Sequence, residues 1–238
     1  MTRRKTEPGA TDRVRAVLLL GPTGSGKTPL GRLMEKKGCL AGRCHHFDFG
    51  ERLRRAAGRL KPPASLSPEE MSVIRRSLET GALLEKEDLG IARKLLLSFL
   101  RRRRTAASDI VVLNGFPRHC AQAEYLEPLL DVFLVISLKA SASVIMKRIK
   151  HDPGGDRFGR NDDDERAVSA RLKSYNERTQ PLVGYYVARG ATLVTIGVTA
   201  YMTAEEMFGL VLTRVCPLLL VPEKAGVPPP ARPGEKKH

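Results

Sequence analysis

The sequence contains no apolar run near the roughly 18–20 residues that a membrane-spanning helix needs. Its longest apolar runs, such as 16–20 and 132–138, have the length of strands. The basic start of the chain also lacks the apolar stretch of a secretory signal. We therefore expect a cytoplasmic protein without a membrane anchor.

Cysteine is also scarce, with four residues in 238. So few cysteines in a chain of this length do not form a disulfide framework. One stretch brings together Cys39, Cys44, His45 and His46, but it has no CxxC pair, and His46 is expected to begin a strand. Ordinary thiols and loop histidines are the preferred interpretation, with a metal site as the alternative.

Acidic residues are outnumbered, since 26 Asp and Glu stand against 41 Lys and Arg, for a formal net charge of +15. Such an excess attracts polyanions, which include both nucleic acids and nucleoside triphosphates. Part of the excess lies in the two ends of the chain and in Arg101–Arg104, which we interpret as solvated faces. Charge alone does not choose between the two kinds of partner.

The organisation of the chain indicates one α/β domain between two disordered tails, 1–13 and 222–238, which are rich in proline, glycine and lysine. Within 14–221, apolar strand-like runs alternate with helical patterns. The predicted strands are Val14–Leu20, His46–Phe49, Ile110–Leu113, Val132–Leu138 and Thr192–Ile196. This pattern predicts a three-layer, doubly wound fold around a five-stranded parallel sheet.

A phosphate-binding loop follows the first strand directly. Residues 21–28, GPTGSGKT, match G-x-x-x-x-G-K-[ST] between a strand and a helix, the context that distinguishes a P-loop from a chance glycine-rich turn. Its backbone N–H groups and the helix N-terminus would cradle phosphates. Lys27 would reach the β- and γ-phosphates of ATP, and the Thr28 hydroxyl would face Mg²⁺. The predicted ATP-binding residues of the loop are Gly21, Thr23, Gly24, Ser25, Gly26, Lys27 and Thr28.

Three later segments extend the pattern. They are FDFGERLR at 47–54, NGFPR at 114–118 followed by Gln122, and GRNDDDE at 159–165, which continues to Arg171 and to TQPLVGYY at 179–186. With the P-loop, these segments resemble the adenylate kinase family of nucleoside monophosphate kinases. The resemblance spans roughly 14–215. The short stretch between Arg148 and Arg160 is similar to the family's small-lid form.

The resemblance implies an ATP- and Mg²⁺-dependent transfer of a phosphoryl group to a monophosphate, with no role for a membrane and with the protein as a monomer. It implies a monophosphate-binding lobe at about 50–80 and a lid at about 149–165. The implied catalytic residues are Lys27, Arg118, Arg160 and Arg171, and Arg148 and Arg157 would contact the donor. The monophosphate would be bound by Phe49, Gly50, Arg54, Gly115, Arg118, Gln122, Arg160 and Arg171.

Three departures from the family pattern bear on substrate and metal. Asn114 replaces the usual aspartate, which holds water on Mg²⁺, and a neutral amide interacts less strongly with a cation. Phe49 stands where AMP-specific relatives have threonine, although Gln122 favours adenine. Ile196–Gly197 lacks the acidic residue that often precedes that glycine.

AMP is the best single candidate for the acceptor. Two alternatives remain. The protein could be a P-loop kinase of another small molecule, or a weakly active nucleotide-binding protein that acts on RNA or on a protein partner.

Overall fold

The computed structural model describes residues 13–38, 42–58, 65–103, 106, 108–156 and 165–219. Several sequence predictions lie outside these ranges. They are the two tails (apart from Arg13), Cys39, the loop arginines Arg157 and Arg160, and the acidic run 162–164.

The described chain contains a five-stranded sheet whose strands all run parallel, in the order β2-β3-β1-β4-β5. The strands are β1 (Val14–Leu20), β2 (Cys44–Asp48), β3 (Ile110–Asn114), β4 (Leu130–Lys139) and β5 (Thr192–Gly197). The predicted α/β class and parallel sheet are confirmed. The second strand was placed too late, because Asp48 ends β2 and Phe49 already begins a helix.

Helices cover both faces of the sheet. They are α1 (Lys27–Lys37), α2 (Phe49–Ala57), α3 (Pro68–Thr80), α4 (Leu89–Arg103), α5 (Cys120–Leu126), α6 (Ala142–His151), α7 (Glu165–Ser174), α8 (Leu182–Val187) and α9 (Ala204–Leu219). A 3₁₀ turn at Lys86–Asp88 precedes α4, and a π-helical turn at Tyr175–Thr179 follows α7. None of the helices in the described ranges is both long enough and apolar enough to cross a bilayer.

Strand β1 shows why the strands read as continuous apolar runs. Its side chains alternate between two hydrophobic clusters: Ala16 and Leu18 pack in one, and Val17 and Leu19 pack in the other. All four are essentially inaccessible to solvent. A strand covered on both faces needs apolar residues at every position, since successive side chains point to opposite sides.

Local signals fix several helix boundaries. Helix α3 begins with a capping box in which Ser67 and Glu70 bond to each other's backbone N–H, and Pro68 follows the cap. Helix α4 ends in Arg101–Arg103, where positive charge suits the helix dipole. These local signals explain where α3 begins and where α4 ends.

Helix α1 approaches strand β2 so closely that only glycine fits at residue 31. A β-carbon at Gly31 would lie 2.3 Å from Nε2 of the buried His46. We expect Gly31→Ala to destabilise the fold by about 1–3 kcal/mol, because the extra methyl overpacks a filled interface. Chemical denaturation monitored by circular dichroism measures this difference.

Gly209→Ala is the matched control for that substitution. Gly209 lies on the exposed face of α9 with no atom within 4 Å of an added β-carbon. There alanine is expected to be neutral or stabilising by up to about 1 kcal/mol, owing to its higher helix propensity. Equal stability of the two variants would contradict the close packing at Gly31.

Candidate active site

The P-loop connects β1 to α1 and depends on glycines with left-handed backbone conformations. Gly24 and Gly26 have φ angles of 74° and 96°, which residues with a β-carbon rarely adopt. Gly26 also lies so close to Met207 that an added β-carbon would be 2.7 Å from its methyl carbon. The loop is therefore held in one shape by packing from α9 as well as by its own sequence.

Lys27 opens α1 and lines the central cavity. Its Nζ donates hydrogen bonds to the carbonyl oxygens of Gly21 and Pro22, both at 2.7 Å. The ammonium group thus lies directly over the loop that is expected to cradle phosphates.

Thr28, Asp48 and Asn114 form a compact polar cluster where α1 begins and where β2 and β3 end. Asp48 Oδ2 accepts hydrogen bonds from Thr28 Oγ1 at 2.7 Å and from Asn114 Nδ2 at 2.8 Å. Asn114 Nδ2 also lies 3.0 Å from Thr28 Oγ1. Asp48 and Asn114 are register partners on neighbouring strands, so the backbone itself brings their side chains together.

The carboxylate of Asp48 is buried yet stays ionised. Burial alone would raise its pKa, but hydrogen bonds from Thr28 and from the Glu51 backbone, with the nearby His46 and Arg54, bring the pKa below its usual value. Asp48 was missed as a site residue in the sequence analysis. An acidic residue at the carboxyl end of a buried strand was the signal available there.

Three of the predicted arginines, Arg54, Arg118 and Arg171, line the same cavity as Lys27. Burial lowers the pKa of Arg118; Asp48 opposes this, while Arg171 and Arg54 add to it. The guanidinium remains a cation, because the ordinary pKa of arginine lies far above neutral pH. Cations that gather in one cavity repel each other, and an anionic ligand relieves that repulsion.

Arg118 is held in place by its neighbours. Its Nε donates to the Gly115 carbonyl at 2.9 Å, and its backbone N–H donates to Gln122 Oε1 at 2.7 Å. Thr179 Oγ1 donates to the Arg118 carbonyl at 2.8 Å. The π-helical turn is therefore tied to the segment that follows β3.

The cavity itself encloses about 620 Å³ at the carboxyl ends of the strands, where parallel α/β sheets bind ligands. Its wall also contains an ion pair that the sequence analysis did not identify. Arg178 bonds both oxygens of Glu85, at 2.6 and 2.9 Å. This pair joins the segment after α3 to the π-helical turn across the cavity.

Two of the predicted site residues are buried away from this cavity. Arg148 is 2% exposed, and its guanidinium donates to the carbonyls of Gly24, Thr199 and Met202. The resemblance places it beside the donor base, whereas here it ties the loop after β5 to the P-loop. Ser25, within the P-loop itself, is fully buried and does not line this cavity.

Gln122 and Phe49, which the resemblance assigns to the acceptor, border a smaller hollow of about 20 Å³ beside Arg118. The Gln122 amide is engaged on both sides, because its Nε2 donates to the Leu84 carbonyl at 2.8 Å and its oxygen binds Arg118. The Phe49 ring packs on Phe116 with centroids 4.9 Å apart. In this arrangement both ends of the Gln122 amide are hydrogen-bonded within the protein.

The two histidines of the alternative metal site, His45 and His46, make other contacts in the structure. His45 Nε2 lies 3.1 Å from Asp109 Oδ2 in a buried pair, and His46 packs under Gly31. Within the part of the chain that the structure describes, no group of three His, Cys, Asp or Glu side chains is placed to hold a metal ion.

A P-loop lysine facing several arginines across an open cavity, on a five-stranded parallel sheet, defines a P-loop phosphotransferase. The chain belongs to the adenylate kinase family, whose model, "Adenylate kinase", matches residues 19–191. This confirms the resemblance seen in the sequence. It also supports nucleotide kinase activity.

Several curated relatives agree. An adenylate kinase of Synechococcus sp. (strain WH7803) is 33% identical over 73% of this chain and 85% of the relative. An adenylate kinase of Thermus thermophilus is 32% identical over 74% of this chain and 85% of the relative. One of Synechococcus sp. (strain CC9902) is 31% identical over 85% of this chain and 97% of the relative.

A gluconokinase from Sinorhizobium meliloti 1021 is similar in structure, with a TM-score of 0.50 and 18% identity over 85% of this chain and 92% of the gluconokinase. At that identity the similarity concerns the fold alone.

Proposed function

We propose that the protein reversibly transfers the γ-phosphoryl group of ATP to a nucleoside monophosphate, with AMP as the first candidate and Mg²⁺ as cofactor. The observation that carries the proposal is the convergence of Lys27, Arg54, Arg118 and Arg171 on one cavity. Two polyanions must meet in line for this reaction, and cations from separate segments make that possible. We further propose that the enzyme acts as a cytoplasmic monomer.

The reaction requires alignment of the two substrates more than it requires proton transfer. A monophosphate has a second pKa near 6, so it is already ionised at neutral pH and needs no general base. Arg54 and Arg118 would bind it, because a guanidinium fork matches two phosphate oxygens. Lys27 and Arg171 would neutralise the phosphoryl group in transfer, and we assign Arg160 the same role. Arg157 is proposed as a further donor contact.

The residues present fit a magnesium ion. The Thr28 hydroxyl and the Asp48 carboxylate provide oxygen groups of the kind that Mg²⁺ prefers, beside the P-loop, and the Asn114 amide nitrogen donates hydrogen bonds to both. When bound with ATP, Mg²⁺ would neutralise charge on the β- and γ-phosphates.

Two moving parts would keep water from the donor. We propose that 50–80 form the monophosphate-binding lobe and 149–165 the lid, which close over both substrates. The Glu85–Arg178 pair lies at the cavity wall near the proposed lobe.

The decisive experiment is a coupled assay with ATP, Mg²⁺ and a panel of AMP, GMP, CMP, UMP and gluconate. We expect turnover with a monophosphate and strongest turnover with AMP. Activity on gluconate alone would identify a small-molecule kinase and contradict the proposal. Binding of ATP without turnover of any acceptor would favour a nucleotide-binding protein instead.

A further inference from the structure

Asn114 leaves strand β3 without the carboxylate that the adenylate kinase pattern has at that position, yet the structure contains a carboxylate one strand away. Asp48 is the register partner of Asn114, and its Oδ2 lies 2.8 Å from the Asn114 amide nitrogen. The position of the missing negative charge is therefore occupied from β2.

The two oxygens of Asp48 have different surroundings. Oδ1 accepts from the Glu51 backbone N–H at 2.9 Å and caps α2. Oδ2 is turned towards the Thr28 hydroxyl, at 2.7 Å. Capping α2 thus accounts for one oxygen only, and the other faces the P-loop threonine to which Mg²⁺ is assigned.

The chemistry of P-loop enzymes gives this second oxygen a role. In such enzymes the ion is held by the loop's Ser or Thr together with an aspartate at the end of a nearby strand. We propose that Asp48 supplies this carboxylate here, directly or through water, and that Asn114 positions it by donating to Oδ2. The carboxylate would thus come from β2, whereas the family pattern has it on β3. This inference rests on the proposed function for ATP as the donor and for Mg²⁺ as its cofactor, but not for the acceptor.

Metal binding tests the inference independently of turnover. We would titrate Mn²⁺ into the full chain with the non-hydrolysable ATP analogue AMP-PNP and follow free Mn²⁺ by electron paramagnetic resonance. Asp48→Asn keeps an oxygen that can cap α2, and we expect it to weaken Mn²⁺ binding about 10- to 100-fold. Glu124→Gln removes one exposed negative charge from α5 and serves as the control.

The change of strand is tested by the double variant Asp48→Asn/Asn114→Asp, which returns the carboxylate to β3. We expect it to recover most of the lost Mn²⁺ affinity, because the two side chains meet at one place. Mn²⁺ affinity in Asp48→Asn equal to that of Glu124→Gln would overturn the inference. A double variant that binds Mn²⁺ as weakly as Asp48→Asn would show that a carboxylate on β3 cannot replace the one on β2.

Three further readouts separate the possible failures. Thermal unfolding shows whether Asp48→Asn retains its fold. If it does not, Asp48→Ser takes its place in the Mn²⁺ titration, because serine also caps helices. Binding of a fluorescent ATP analogue in EDTA shows whether the nucleotide site survives without metal. If Mn²⁺ binding depends on Asp48 while the wild type phosphorylates no monophosphate, the proposed function fails and the metal assignment stands.

Discussion

Replacing Lys27 by methionine is expected to lower kcat about 1,000-fold, the scale on which a preorganised charge acts on a transferring phosphoryl group. Lys27 Nζ is held over the P-loop by two loop carbonyls at 2.7 Å, so its charge is already in place when the donor binds. Methionine keeps most of the length of the side chain but removes the ammonium group and its charge. Single-turnover kinetics with saturating ATP and AMP measure the effect on the chemical step.

Lys36→Met is the matched control for this substitution, since Lys36 lies exposed in the last turn of the same helix. Its turnover is expected to stay within about twofold of wild type, as surface substitutions usually have small effects. Circular dichroism should show both variants folded. Normal turnover in folded Lys27→Met would remove the assignment of the P-loop lysine to phosphoryl transfer.

The sequence predicts the parallel sheet well because the signal is local and repeated. Apart from the exposed Arg15 near its start, strand β1 is buried on both faces, so residues 16–20 form an uninterrupted apolar run, and the predicted bounds, Val14–Leu20, equal those observed. The end of β2 was harder to predict. The run from His46 to Phe49 reads as continuous strand, and the cap that Asp48 makes for α2 ends the strand one residue earlier.

The site shows a different limit of sequence reasoning. The motifs are sufficient to predict that Arg54, Arg118 and Lys27 share one cavity, because each motif follows a parallel strand and the carboxyl ends of those strands meet there. The pairing of Asp48 with Asn114 depends on strand register, and no pattern within either segment encodes it. The same holds for Arg148, whose carbonyl partners at 199 and 202 come from a loop about fifty residues away.

Arg118→Ala is expected to lower kcat/KM for the monophosphate about 1,000-fold while the fold is retained. Alanine removes the guanidinium fork proposed to bind the acceptor phosphate, and with it a charge already fixed towards the cavity by Gly115. The KM for ATP should change little, since the P-loop is untouched. Initial rates over a matrix of ATP and AMP concentrations separate the two parameters.

Two further variants show whether the loss of kcat/KM is due to the guanidinium of Arg118. Arg118→Lys keeps the charge without the fork, so it should recover only part of the lost kcat/KM if bidentate binding matters. Arg75→Ala removes an exposed arginine on α3 that does not line the cavity, and near-normal kinetics are expected. Because an anion held by several cations loses much of its binding when one fork is removed, a folded Arg118→Ala enzyme with ordinary kcat/KM would show that the acceptor phosphate binds elsewhere.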